Sequence, residues 1–399
     1  MTIFLTGATG YLGSYVAHGL LNQHGQKLSV LVRAKSQQEG AKRLWASLQM
    51  HMDFATFYEH LNGKIDIYLG DLTDKNFGLD AATYQKLVHN TSSVIHCAAS
   101  LNRKSNKACF NVNLRGTLEV TKLARAAQDH HGLRRFSDVS TVAVSGEVQS
   151  QNVHEDEAID WNKSDYDPYS RTKKFCEHMV HELLPEVPVT VFRPSTVLGD
   201  SRYSATTQFD MVRAFVFLAK LPVLPLDASW RMDIVPANYV GAGIVAVHMQ
   251  DKPEHGAYNL STGLASPTYR QITDAMRKSG HGTHHLFAPG LVPTFEKAVD
   301  RLMDSPKKWG VAGGASLMKV FLPYLTYDTV FDNSRIQKVL GHAPTPFTDY
   351  CFHLFKFATE GNFKYPYKPW PEDVASAAKR SGRGNGNGVG GVSSFDAGA

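Results

Sequence analysis

Residues 2–13, TIFLTGATGYLG, carry an apolar strand straight into a turn with glycine at every third position and then into a helix, an opening that few folds accept. Gly7, Gly10 and Gly13 let the backbone turn tightly, approach a pyrophosphate closely, and let a helix from about Leu12 to Leu21 pack against the strand. An anion is favoured at that helix's N-terminus, where backbone N–H groups lack partners and the helix dipole is positive. Glycine triplets also occur in loops for conformational reasons alone. Here the triplet stands between a strand and a helix, the context that a phosphate cradle requires.

Strand and helix patterns alternate downstream. Strands are expected at Lys27–Val32, Ile65–Leu69, Ser93–Cys97, Phe136–Val139 and Val189–Phe192. Helices are expected at Gln37–Met50, Phe54–Leu61, Ala81–His89, Asn111–Gln128 and Tyr169–Leu184. Such alternation builds an α/β fold: a doubly wound parallel sheet of the Rossmann kind, with ligand at the carboxyl ends of its strands. We assign 1–200 to a dinucleotide-binding domain and 201–373 mainly to a smaller C-terminal α/β substrate-binding region, with some return to the sheet. Residues 374–399, rich in Ala, Ser, Gly and Asn, are expected to form a disordered tail.

Composition narrows the function classes. A net charge of +5 over 399 residues, with no dense basic run, gives no sign of nucleic-acid binding. Cys97, Cys109, Cys176 and Cys351 lie far apart without metal-binding spacing, which fits a reducing cytoplasm and no metal site. The N-terminal apolar run is one strand long, too short for a signal peptide, and Phe215–Leu226 is too short to cross a bilayer and contains Lys220.

Nucleotide choice falls at the end of the second strand, where a free ribose 2′-hydroxyl calls for a carboxylate and a 2′-phosphate for a cation. Arg33 stands there, Arg43 follows a few helix turns on, and no acid occurs before Glu39, so NADP is expected rather than NAD. Asp71 after the third strand is a turn aspartate or an acceptor for the adenine amino group, with Leu72 beside it. Ala98, Ala99 and Ser100 close the fourth strand with small side chains that admit the cofactor. Asn113, near the start of the next helix, is a cap, a surface residue, or a holder of active-site backbone or water. Asp167 and Pro168 read as the cap and first residue of a helix that places Tyr169 and Lys173 four apart on one face. A free tyrosine, with a pKa of about 10, is a sluggish acid, and a neighbouring ammonium is expected to bring it toward working pH. Thr141, at the end of the preceding strand, is placed to hydrogen-bond a carbonyl oxygen.

These segments together resemble an extended short-chain dehydrogenase/reductase, and most closely the thioester-reductase and fatty acyl-CoA reductase branch. The resemblance covers roughly residues 1–270 and runs through TGATGYLGS from Thr6, LVRAKS with KRL, GDLTDKNFGL from Gly70, VIHCAAS, NVNLRGT, VSTVAVSGE, YSRTK, FRPSTVLGD, DIVPANYV and YNLST. It implies that Thr141, Tyr169 and Lys173, with Asn113, form the catalytic set, and that Lys173 also holds the nicotinamide ribose. Thr6, Gly7, Thr9, Gly10, Tyr11, Leu12 and Gly13 would meet NADP at the turn. The backbone around Pro194, Ser195 and Val197 would meet its carboxamide. The implied reaction takes an acyl-CoA or acyl-carrier-protein thioester to an aldehyde, or on to an alcohol. No carrier or adenylation module precedes the first strand, so the substrate is expected to arrive from a separate molecule.

Other readings stay open: a ketone or hydroxysteroid-type reductase, a sugar-nucleotide epimerase, or an NADP-binding sensor without turnover. The mostly apolar helix Gln208–Lys220 speaks against a diphosphate sugar, and the complete Thr141, Tyr169 and Lys173 set against a sensor. Arg33 generates a direct prediction. Calorimetric titration should give much tighter binding of NADPH than of NADH, and Arg33→Asp should erase most of the preference, at a cost of about 1.5–3 kcal/mol for the lost charge-assisted contact. Equal affinities in the wild type would refute the assignment.

Overall fold

Alternate residues of the first strand bury into opposite layers: Ile3 and Leu5 join one hydrophobic core and Phe4 another. In the computed structural model, which describes residues 2–157, 159–303 and 312–379, this strand is the centre of the fold. β1 (Thr2–Thr6) leads into α1 (Tyr11–His18), β2 (Leu28–Val32) into α2 (Gln37–Leu48) and α3 (Phe54–Gly63), and β3 (Ile65–Leu69) into α4 (Ala81–Asn90). β4 (Thr91–His96) is followed by α5 (Asn106–Cys109) and α6 (Gly116–His131). Then come β5 (Phe136–Val139), a short β6 (Asn152–Val153), α7 (Pro168–Leu183) and β7 (Val189–Pro194).

The second half has β8 (Thr196–Val197), α8 (Asp210–Lys220), β9 (Val223–Leu224), β10 (Ile234–Val235), α9 (Ala237–Met249) and β11 (Ala257–Leu260). It continues with α10 (Tyr269–Lys278), β12 (Leu286–Phe287), α11 (Val292–Met303), α12 (Ala312–Thr326), β13 (Val330–Phe331), α13 (Ser334–Leu340), α14 (Phe347–Glu360) and α15 (Val374–Lys379).

The main sheet has seven strands in the order β3-β2-β1-β4-β5-β7-β11, and every pairing is parallel. Chain direction across the sheet reverses between β1 and β4, and the crevice outside their carboxyl ends is the natural ligand site. One face packs Val16 of α1 and Leu20 of the π-helical turn that follows it, Leu44 and Trp45 of α2, and Val240 and Ile244 of α9; the other packs Leu87, Val120, Leu123 and Val180 from α4, α6 and α7. A separate core built from α8, α10, α12 and α14, with Val212, Phe215, Met276, Met318 and Leu354, forms a cap. Residues 237–260 return to the sheet, α9 packing beside α1 and β11 adding its last strand.

The expected strands and helices recur with ends shifted by a few residues, apart from two larger differences. The helix expected from Asn111 begins at Asn106, because the Ser105 side chain accepts from the Ala108 N–H at 3.1 Å, and Asn113 therefore lies inside a π-helical turn, Phe110–Arg115. At the C-terminus Val374–Lys379 is helical, started by Asp373 accepting from the Ser376 N–H at 3.0 Å and anchored by Val374 and Ala377 against the α3 core; the rest of the expected tail lies outside the described residues.

His96 ends β4 fully buried between Thr6 Oγ1 at 2.7 Å and Thr117 Oγ1 at 2.9 Å. Burial, helped by the Lys173 charge, lowers its pKa to about 3. The unfolded chain, with a histidine pKa near 6.5, takes up this proton first, so stability falls as pH drops through that value. His96 alone should remove about 2 kcal/mol between pH 7 and pH 5. Urea unfolding at the two pH values should show this loss, and His96→Asn should reduce it; a wild-type midpoint unchanged at pH 5 would contradict the buried neutral imidazole.

Candidate functional site

A cavity of about 1050 Å³ opens at the carboxyl edge of the sheet and extends under the cap. Its first wall is the glycine turn. Gly7 has φ +79°, and a Cβ there would lie 2.8 Å from the Ala98 backbone nitrogen; a Cβ at Gly13 would lie 2.0 Å from the Gly7 carbonyl oxygen. Neither position tolerates a side chain. Gly10 caps α1, and no acid stands in the helix's first turn, so its N–H groups face the cavity without competing negative charge. The Thr6 hydroxyl joins His96 and accepts from the Ala98 N–H at 3.2 Å, fixing the loop after β4 against the turn.

Thr9, Tyr11, Leu12, Arg33, Arg43, Leu72, Ala98, Ala99 and Ser100 line the same cavity. Arg43 donates to the Arg33 carbonyl, which brings both guanidinium groups to the end of β2. Asp71 is the turn aspartate: its Oδ1 accepts from the Thr73 N–H and hydroxyl, each at 2.8 Å, while Oδ2 lies 3.7 Å from Arg33. Phe77, in the left-handed region at φ 61°, is fully buried against Phe4 and holds this loop under the sheet edge.

Asn113 and Lys173 stand just behind the cavity wall. The Asn113 amide grips the Ser100 backbone at both ends, accepting from its N–H at 2.7 Å and donating to its carbonyl at 3.3 Å, and also donates to Thr172 on α7 at 3.0 Å. Tyr169 and Thr141 both line the cavity, and Thr141 lies near enough to influence the phenol. Asp167 caps α7, accepting from the Ser170 N–H at 2.8 Å. A Glu177–Arg193 ion pair at 2.7 Å ties the same helix to β7.

Two charges act on Tyr169, those of the buried Lys173 and the partly buried Arg103. Lys173 Nζ lies 3.6 Å from Asp138 Oδ1, both side chains fully enclosed, and the carboxylate has no hydrogen-bond partner among the described residues. The Arg103 guanidinium lies 4.6 Å from the Tyr169 ring centre and donates to Asp167 Oδ2 at 2.8 Å and to the Tyr324 hydroxyl at 2.6 Å. Burial is the largest single influence on the Lys173 ammonium and works against it, but Asp138, Cys176, Tyr169 and Glu177 together outweigh it and hold the pKa above the usual lysine range. The Asp138 carboxyl is pushed up by burial against the pull of Lys173. Tyr169 differs from the sequence expectation: burial raises its pKa, and Lys173 and Arg103 only partly counter that, so the phenol keeps its proton in the free protein. It is placed to give a proton to an anionic oxygen.

Pro194, Ser195 and Val197 line the far side of the cavity. The Ser195 hydroxyl donates to Asp233 at 2.8 Å; this fully buried carboxylate also accepts backbone N–H groups of Thr262 and Phe331, and burial pushes its pKa up to about 6. Phe209, Met211, Met232, Phe321 and Phe363 bring apolar side chains of the cap to the cavity, interleaved with Asp210, Arg213 and Arg231. Asp138, Arg103 and Tyr324 were not singled out from sequence. A charged residue within the short expected strand Phe136–Val139 was the available signal for Asp138, and nothing local marks the other two.

The sequence profile of the male sterility protein family, an NAD-binding profile, matches residues 5–244. A glycine betaine reductase of Emericella nidulans is 26% identical over 296 residues, covering 71% of this chain and 23% of that protein. Carboxylic acid reductase of Mycobacterium tuberculosis is 30% identical over 280 residues, covering 63% of this chain and 24% of its own length. The chain thus spans a small part, about a quarter or less, of such curated relatives. The crystal structure of the terminal R domain from the myxalamid PKS-NRPS biosynthetic pathway superposes with TM-score 0.77 at 24% identity, over 91% of each chain, and so has the same fold.

The Lys173–Asp138 pair generates a test. Asp138→Leu leaves a buried ammonium without its partner and should destabilise the protein by about 3–5 kcal/mol, whereas Asp138→Leu combined with Lys173→Met should recover much of the loss. Denaturant unfolding of both variants measures this; a single variant as stable as the wild type would show that the pair carries no such coupling.

Proposed function

The chain belongs to the male sterility protein family, and from that premise we propose that it is an NADPH-dependent reductase that transfers hydride to the carbonyl carbon of an acyl thioester and releases an aldehyde. The observation that carries this reading is the meeting, in one cavity, of a nucleotide cradle, Thr141 and Tyr169 backed by Lys173, and apolar side chains of the cap. Carboxylic acid reductase among the relatives supports a substrate whose carbonyl is at the oxidation level of a carboxylic acid, as that of a thioester is. We assign the acyl donor to coenzyme A or a carrier protein.

The residues present fit the cofactor. Gly7 and Gly13 leave the space that Cβ atoms would fill, the first turn of α1 offers N–H groups, and Arg33 with Arg43 supplies cations for a 2′-phosphate. Lys173 would hold the ribose, and Pro194, Ser195 and Val197 the carboxamide end. When bound, NADPH supplies the hydride.

Thr141 and Tyr169 donate hydrogen bonds to the thioester oxygen, where preorganised donors are worth several kcal/mol once it becomes an oxyanion. Tyr169, protonated because it is buried, passes its proton to that oxygen, while the buried Lys173 ammonium stabilises the phenolate left behind. Cleavage of the C–S bond, with the proton moving to sulfur, leaves aldehyde and free thiol. Asn113 keeps Ser100 from shifting during these changes.

Mass spectrometry of products tests the reading. Long-chain acyl-CoA or acyl-carrier thioesters should yield aldehyde or alcohol; efficient reduction of simple ketones with no thioester product would transfer the assignment to a ketoreductase. Tyr169→Phe should retain NADPH binding while turnover falls by about two to four orders of magnitude, and Lys173→Ala should impair both. Near-normal turnover in Tyr169→Phe would refute the acid assignment.

A further inference from the structure

We propose that Arg103 is a positioning residue for the reduction: its guanidinium fixes the ring of Tyr169 and ties that ring to the seating of α12 in the cap. The proposal rests on the reduction assigned above. The Arg103 side chain lines the cavity and is held by several partners. One face of the guanidinium meets the Tyr169 ring at 4.6 Å, and the Tyr324 and Phe321 rings of α12 lie at 4.9 and 5.8 Å. The Tyr324 hydroxyl accepts from Arg103 at 2.6 Å and donates to Asp167 Oδ2 at 2.9 Å, while Arg103 donates to that same oxygen at 2.8 Å. Asp167 Oδ1 caps the helix that carries Tyr169. One carboxylate thus fixes the start of α7, the Arg103 side chain and the cap residue together.

Further contacts make this a joint between two parts of the fold. Tyr324 stacks on Tyr166, just before α7, with ring centres 4.5 Å apart, and Lys104, next to Arg103, donates to Ser316 of α12. If α12 lifts, the guanidinium loses one hydrogen-bond partner and two of its three aromatic neighbours. Arginine suits this place because its planar fork stacks on a ring while donating in its own plane.

The charge acts on the acid as well. The groups facing the Tyr169 phenol are Lys173 of α7, Asp167 at its N-cap, Arg103 of the loop after β4, Thr141 after β5, and Tyr324 of α12; Asp138 acts through Lys173. Arg103 favours the phenolate, so its loss weakens the acid and moves the alkaline limb of turnover to higher pH.

The test compares Arg103→Met, Arg103→Lys and Tyr324→Phe as full-length proteins with NADPH and whichever carbonyl the wild type reduces, thioester or ketone, so loss of the thioester reading leaves the test intact. Arg103→Met should lower kcat by about tenfold or more, keep KM and the NADPH dissociation constant within roughly threefold, and shift the alkaline limb upward by about one pH unit. Arg103→Lys should return the limb toward the wild-type position while recovering only part of kcat. Tyr324→Phe should lower kcat less and speed amide hydrogen exchange in α12. The proposal is overturned if Arg103→Met keeps kcat within about twofold with an unmoved limb, or if kcat and NADPH affinity fall together in both Arg103 variants.

Discussion

The contact on which the molecule depends is the close approach of the Gly13 Cα to the Gly7 carbonyl, where any side chain would overlap backbone. It brings α1 down onto the end of β1 and turns the helix's N–H groups toward the crevice. Neighbouring polar contacts keep that geometry. Thr6 and His96 face one another across paired strand ends, and the Thr6 hydroxyl also holds Ala98, so turn and β4 loop form one rigid edge. A cofactor pocket built on backbone in this way depends on sterics more than on side-chain chemistry.

Three carboxylates, through their partners, connect the far wall of the cavity, Tyr169 and the cap. Asp233 gathers the backbone of Thr262 and Phe331 with the Ser195 hydroxyl, joining the strands of the second half to the cavity's far wall. Asp167 links α7 to Arg103 and Tyr324. Asp138 counters the burial of Lys173. Each carboxylate bears a desolvation cost that only its partners offset, and the same partners set the position of a group facing the cavity.

Much of this was legible in the sequence. The strand–turn–helix opening and the regular alternation specify a parallel sheet, and the spacing of four between Tyr169 and Lys173 requires that they share a helix face. The polar interior was not legible. Asp138 sits in a strand buried on both faces, where alternation says nothing about which side chain meets a charge from α7. Arg103 and Tyr324 are 221 residues apart, and only the packing of the cap brings them together. The expectation that Lys173 would lower the Tyr169 pKa took account of the charge but not of how deeply the ring is buried, and burial is the larger effect. Ser105 starts α5 earlier than the apolar pattern suggests, because a capping hydroxyl leaves little mark on periodicity.

The most direct test of thioester reduction is a single-turnover reaction of the protein with acyl-CoA and NADPH carrying deuterium at the transferred position. Hydride transfer to the thioester carbonyl predicts aldehyde bearing one deuterium on its carbonyl carbon, released together with an equal amount of free coenzyme A thiol. Deuterium retained in the nicotinamide with the thioester intact, while a ketone takes up the label under the same conditions, would contradict it.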